Sequence, residues 1–274
     1  MHGAYYKNYN ISILNLRLKD FSMTNTFFHN IEKTISVNRL STYHNHSNSN
    51  KSTLINYVLN AKIAENFYFL LQNLEVALRN AIFDSFKIIY PHNNFFFLNQ
   101  PDSRERYQKR REKHSFECWK MICGAKHNLT RRGIMLNDGK IIAELNFGFW
   151  TKILSSTDSK YTNMWRKIFP LVFPNYTIIN SIDSDKILIG NIINNIRDLR
   201  NRVFHYEPIF NQTQLTQFHD DIIKVLGWIN KDLQQLSVMF DEFQLISQEK
   251  DFISKQLSKQ PLPKKLNNKR YKKR

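Results

Sequence analysis

Glycine and proline are both rare in this chain, at seven of each in 274 residues. These residues turn the backbone, so a many-turned β-sandwich is disfavoured and long helices are favoured. Cysteine is rarer still: Cys118 and Cys123 are the only two, too few for a disulfide framework. A zinc site would have to recruit His114 and His127 around them. The spacing His114-Cys118-Cys123-His127 resembles no common zinc module, and two reduced thiols are the simpler reading. No apolar run approaches the roughly 18 residues of a bilayer span. The N-terminal "MHGAYYKNYNISILNLRLKDFS" lacks the basic start and sustained apolar stretch of a signal peptide. The expectation is a cytoplasmic protein with no membrane partner. Acidic residues are the minority charge, 23 against 40 Lys and Arg, leaving a formal net charge of +17.

What the chain does have is apolar bulk. Hydrophobic residues make up 42% and aromatics 14%, with 21 Phe and 12 Tyr, which is the composition of a packed domain and not of a disordered chain. The excess positive charge points to a polyanion, with nucleic acid first and an anionic membrane surface second. A membrane surface would call for a basic amphipathic helix. Here the charge is spread along the chain with two local clusters. One is "RERYQKRREKH" at 104–114. The other is "KKLNNKRYKKR" at 264–274, whose Lys264, Lys265, Lys269, Arg270, Lys272, Lys273 and Arg274 have little beside them to bury. That tail reads as a flexible basic arm suited to RNA.

Periodicity predicts helices almost throughout. A short one spans 24–36, and a polar loop with His44 and His46 follows at 41–53. The longest run covers 54–89, with a wide apolar stripe. On it Glu75 and Arg79 lie four apart, with Glu on the N-terminal side, so they share a face and can pair. Pro91 breaks this run. A basic helix is expected over 103–122. Gly133 and Asp138-Gly139 are turn signals for a small hairpin or a loop at 130–140. One helix is expected at 141–155, with Phe147, Phe149 and Trp150 in the core. Another at 161–174 would be ended by Pro170 and Pro174. A helix from about 181 carries Ile189, Ile192, Ile193, Ile196, Leu199 and Val203 on its inner face. The last helices are expected at 212–241 and 246–258. The expected organisation is an N-terminal segment 1–22, one helical domain over 23–258 and the basic tail 259–274.

The end of the penultimate long helix concentrates polarity: "LRNRVFHYEPIF". Pro208 confines the helix to Glu207 or earlier, so Arg200, Asn201, Arg202 and His205 occupy its last turns. Asn201 and His205 are four apart and face the same way. Arg200 is turned about 100° from Asn201, but its side chain is long. Cations favour a helix C-terminus, which is the plain structural reading. Asn201 and His205 go beyond what that reading requires. A histidine titrates near neutrality and moves protons, and an arginine fork fits phosphate. The nearest acids, Asp198 and Glu207, form no convincing carboxylate cluster for a metal.

This stretch resembles the R-x4-6-H signature of HEPN ribonucleases, and specifically of the Abi-type (AbiD/AbiF-like) abortive infection proteins of bacteria. Other stretches match that family in order: "ISVNRLSTY" at 35–43, "YVLN" with "LQNLEVALRNAI" at 71–82, "GKIIAELNFGFWTKILS" at 139–155, and "MWRKIFPLVFP". The matches span roughly residues 35–210. The chain departs from the family where a second histidine often stands, here Tyr206, and where a tryptophan is often found, near Val58.

The resemblance implies an all-α, HEPN-like helical bundle with additional helices, and a homodimer in which two motifs meet in one cleft. It implies a metal-independent endoribonuclease with no cofactor, which uses the substrate 2′-OH and leaves 2′,3′-cyclic phosphate and 5′-OH ends. Arg200, Asn201 and His205 would be catalytic; Glu75, Arg79 and Arg202 would brace the site or touch RNA. The setting implied is phage defence or an RNA-targeting toxin, with an antitoxin of RNA or protein. The alternative is a non-catalytic protein that holds a small non-coding RNA.

Overall fold

The structure, a computed structural model, describes residues 23–47, 49–98 and 113–258. The N-terminal segment 1–22, the basic stretch up to residue 112 and the tail with Lys264, Lys265, Lys269, Arg270, Lys272, Lys273 and Arg274 lie outside the described residues. In chain order the helices are α1 (Asn25–Ile35), α2 (Val37–His44), α3 (Asn50–Ile89), α4 (Phe95–Leu98), α5 (Lys113–Arg131), α6 (Asp138–Glu144), α7 (Phe147–Ser155), α8 (Ser159–Val172), α9 (Ile182–Phe204), α10 (Leu215–Ile229), α11 (Lys231–Met239) and α12 (Phe243–Ser258). No strand occurs among the described residues, so the chain is all-α. No described helix is long and apolar enough to cross a membrane.

The described residues group into two compact units, one drawn from those within 23–66, 206–212 and 242–258, the other from those within 67–205 and 213–241. In the first, the expected loop at 41–53 is shorter than the polar composition implies. Ser36 closes α1 and caps α2 through Arg39 N at 3.3 Å, so helix continues to His44. The next helix starts at Asn50 because Ser49 and Ser52 cap each other reciprocally. Ser49 N donates to Ser52 Oγ at 2.9 Å and Ser52 N to Ser49 Oγ at 3.2 Å, a capping box with serine in the acid's place. Tyr43 is fully buried, edge-on to Tyr57 and tilted against Phe210. Asn60 fastens the irregular stretch after Tyr206. Its Oδ1 accepts from Ile209 N at 2.6 Å and Phe210 N at 3.1 Å, and its Nδ2 donates to Glu207 O.

The second unit holds most of the aromatic bulk. Trp150, Trp165, Phe147, Phe149 and Phe169 are all buried, with Phe149 edge-on to Trp150 and Trp165 stacked on Phe173. Trp165 donates its indole N–H to Ile153 O at 3.0 Å. The core expectation for Phe147, Phe149 and Trp150 therefore holds. Asparagines divide two runs that periodicity joins. Asn146 caps α7 through Phe149 N at 3.1 Å, breaking the run 141–155, and Asn230 caps α11 through Leu233 N at 2.9 Å, breaking 212–241. Pro170 does not end α8 but lies inside it. The turn signals at 130–140 mark a loop over 132–137 between α5 and α6, with Gly133 at φ 69°, and Asn137 caps α6.

Candidate functional site

Ser181 starts α9, its hydroxyl accepting from Ser184 N at 3.2 Å, and Asp183 and Asp185 occupy the first turn, where the helix dipole favours carboxylates. Ile189, Ile193, Ile196, Leu199 and Val203 are buried along one side. The helix ends at Phe204, with His205 as C-cap donating its N–H to Asn201 O at 2.9 Å. The following residue, Tyr206, has φ 58° and is 76% exposed. A left-handed residue commonly ends a helix, but glycine usually fills that place. Here a tyrosine bears the strain.

The facing surface comes from α3. Its stripe of Phe67, Leu70, Leu71, Leu74, Leu78 and Ile82 is buried. Tyr68, Glu75 and Arg79 follow each other by seven and four residues and so lie on one neighbouring strip. Two of these residues meet α9. Glu75 Oε2 accepts from Arg200 Nε at 3.3 Å, and both side chains are about four-fifths covered, Glu75 at 18% and Arg200 at 22% exposure. Arg200 also lays its guanidinium over the Phe204 ring, Cζ at 4.2 Å from the centroid. Tyr68 stacks on the same ring, centroids 5.3 Å apart and planes 26° from parallel.

The pairing of Glu75 with Arg79 suggested by their spacing is therefore replaced by a tertiary one with Arg200. The Nε of Arg79 is buried without a hydrogen-bond partner. Asn201, Arg202 and His205 are exposed. Asp198 is exposed with them, while Arg200 pairs with Glu75 of α3. No hydrogen bond joins Arg200 to Asn201 or His205 through side chains. The arrangement is a cation held by Glu75 and Phe204, with an exposed amide and imidazole beside and just after it on the helix end.

Arg197 belongs to the same neighbourhood and was not singled out by motif reasoning. One turn before Arg200, it donates to Thr151 Oγ1 at 3.3 Å and pairs with Asp198. Its signal in the sequence was the i, i+3 arginine pair within "IRDLR". Phe204, at a helix end, and Tyr68, in the middle of α3, carry no sequence signal, because a single aromatic forms no motif.

Two other groups of titratable side chains are built into this unit. His219 is buried, with Nε2 2.7 Å from Asp241 Oδ2 and Nδ1 3.1 Å from Asp220 Oδ1. Burial alone would lower its pKa, but the two carboxylates outweigh it and the pKa is raised. Both ring nitrogens are committed, so this imidazole holds α10 to the chain after α11. Cys118 is fully buried, and desolvation pushes its thiol up to about 11. Cys123 is exposed. Among the described residues no three His, Cys, Asp or Glu side chains are grouped to hold a metal ion, and the four-residue zinc constellation is not assembled. No family model, curated protein or solved structure matches the chain.

Proposed function

We propose that the protein is a metal-independent endoribonuclease of the HEPN, Abi-like type, with Arg200, Asn201 and His205 as its catalytic residues. The observation that carries the reading is Arg200. It is held by Glu75 and Phe204 one turn from a helix end whose last side chain is an exposed histidine. A guanidinium fixed in advance costs no reorganisation as charge develops on a phosphate. An exposed imidazole is placed to take or give a proton.

The chemistry follows from those two roles. The imidazole of His205 accepts the proton of the ribose 2′-OH, and the oxygen attacks the adjacent phosphorus. The P–O5′ bond breaks, leaving a 2′,3′-cyclic phosphate and a 5′-hydroxyl. Arg200 stabilises the extra negative charge on the phosphoryl oxygens, and Asn201 donates to one of them or orients the ring. One motif supplies one histidine, whereas the two proton transfers call for an acid and a base. A homodimer that brings two α9 ends together supplies both. The biological setting is phage defence or an RNA-directed toxin, held in check by an RNA or protein antitoxin.

The test uses EDTA-treated protein, end-labelled single-stranded RNA and analysis of product ends. Cyclic phosphate and 5′-hydroxyl ends from the wild type, with none from His205→Ala, are expected. Cleavage at a 2′-deoxy position would sink the mechanism. The strong positive charge also favours a second reading, a binding module for a small non-coding RNA. Tight RNA binding with no cleavage under any condition would select it.

A further inference from the structure

More than half of the large aromatic residues among the described ones are in the core, yet Tyr68 is 52% exposed. It is also not loose, because its ring lies nearly parallel to that of Phe204, at 5.3 Å and 26°. Phe204 in turn carries the guanidinium of Arg200 at 4.2 Å. Three flat groups thus meet at one ring. One of them is the arginine assigned to the phosphate, and another, Tyr68, is half exposed.

We propose that Tyr68 is a nucleobase platform: it stacks the base of a nucleotide next to the phosphate gripped by Arg200. The inference rests on the ribonuclease reading for the identity of that phosphate. Three points carry it. Bases present flat faces, and aromatic rings and arginine planes are the side chains that stack on them in single-stranded RNA. A rigid platform needs its ring held from behind, as Phe204 holds Tyr68. Arg200 and Tyr68 contact the same Phe204 ring, at 4.2 Å and 5.3 Å, so a strand whose phosphate is held by Arg200 can lay a neighbouring base on Tyr68. Stacking of this kind tolerates any base and prefers purines for their larger face. The subsite therefore selects unpaired RNA, since a paired base cannot reach the ring.

The experiment uses the full chain and a short single-stranded RNA with 2-aminopurine placed at successive positions. One version has 2′-O-methyl riboses, which cannot be cut, and the other has ordinary riboses. Quenching of 2-aminopurine on binding at one position is expected for the wild type, and for Tyr68→Phe and Tyr68→Trp. Tyr68→Leu keeps an apolar contact on Phe204 but removes the flat face. It should lose the quenching and bind about tenfold or more weakly, with kcat on the ordinary RNA reduced far less than KM is raised.

Wild-type quenching and affinity in Tyr68→Leu, or their loss in Tyr68→Trp, would overturn the platform. The two readings fail separately. Cleavage without quenching at any position removes the platform and leaves the nuclease. Quenching that depends on Tyr68 without cleavage removes the nuclease and leaves the platform.

Discussion

Arg200 and His205 lie five residues apart on one helix, which turns them about 140° from each other around its axis. They face different surroundings, and their substitutions should fail differently. His205 is exposed, so His205→Ala should leave the melting temperature unchanged and lower kcat on single-stranded RNA by at least ~10²-fold. Arg200 is largely covered and tied to Glu75. Arg200→Ala should cut kcat by about 10²–10³-fold and also lower stability, because the Glu75 carboxylate loses its ion-pair partner. Glu75→Gln is the finer test of positioning. It keeps an acceptor but removes the charge, and kcat should drop by roughly ten- to a hundredfold with little change in KM. Equal loss in KM would mean that Glu75 touches RNA itself. His219 sets a pH dependence. Its folded pKa is raised above the ordinary value, so its contribution to stability is complete at pH values below the unfolded pKa. That contribution declines as pH rises through the folded value. Thermal melts across that range should show the decline, and His219→Gln should flatten it. Of the two thiols, only exposed Cys123 should react with a thiol reagent in the native protein, since Cys118 is buried with its pKa pushed up to about 11.

At the scale of elements, Asn60 makes a prediction of its own. One side-chain oxygen receives two backbone N–H groups, from Ile209 and Phe210. Asn60→Ala would leave both buried donors unpaired, at a cost of about 2–4 kcal/mol, seen as a melting temperature lower by several degrees. Strong periodicity made α3 and α9 readable, because their buried faces repeat at 3.6 residues over many turns. Boundaries were harder. Asn146 and Asn230 look like neutral polar positions inside helical runs, and only the turn of the backbone makes each a cap. Pro170 looked like a stop but falls inside α8. The residues at the end of α9 were visible as a cluster, yet their environment was not. Glu75 has a candidate partner four residues away in Arg79, and local spacing cannot disclose that it takes one 125 residues distant. Tyr68 and Phe204 were invisible for the same reason, since a stacked pair is a property of two helices and not of either alone.

At the scale of the whole molecule, the proposed RNA binding would be governed by charge. A net +17 means that binding must release counterions from the RNA. The logarithm of the affinity should then fall linearly with the logarithm of salt concentration. Deleting residues 261–274 should shallow that slope and weaken binding for all sequences alike; a filter-binding titration at several salt concentrations measures both. An affinity indifferent to salt would contradict the electrostatic account. The chain's path has a different kind of consequence. Arg200 to His205 belong to one compact unit, and Tyr206 to Gln212 to the other, which is assembled from three separate stretches of chain. The boundary falls directly after His205, the last residue of the motif. A gene built this way cannot donate or receive either unit as a contiguous cassette. A crossover that carried the arginine and histidine with their own unit would leave behind the residues that follow them. Such a lineage is expected to diverge by substitution along its length, with recombination confined to exchanges of the whole.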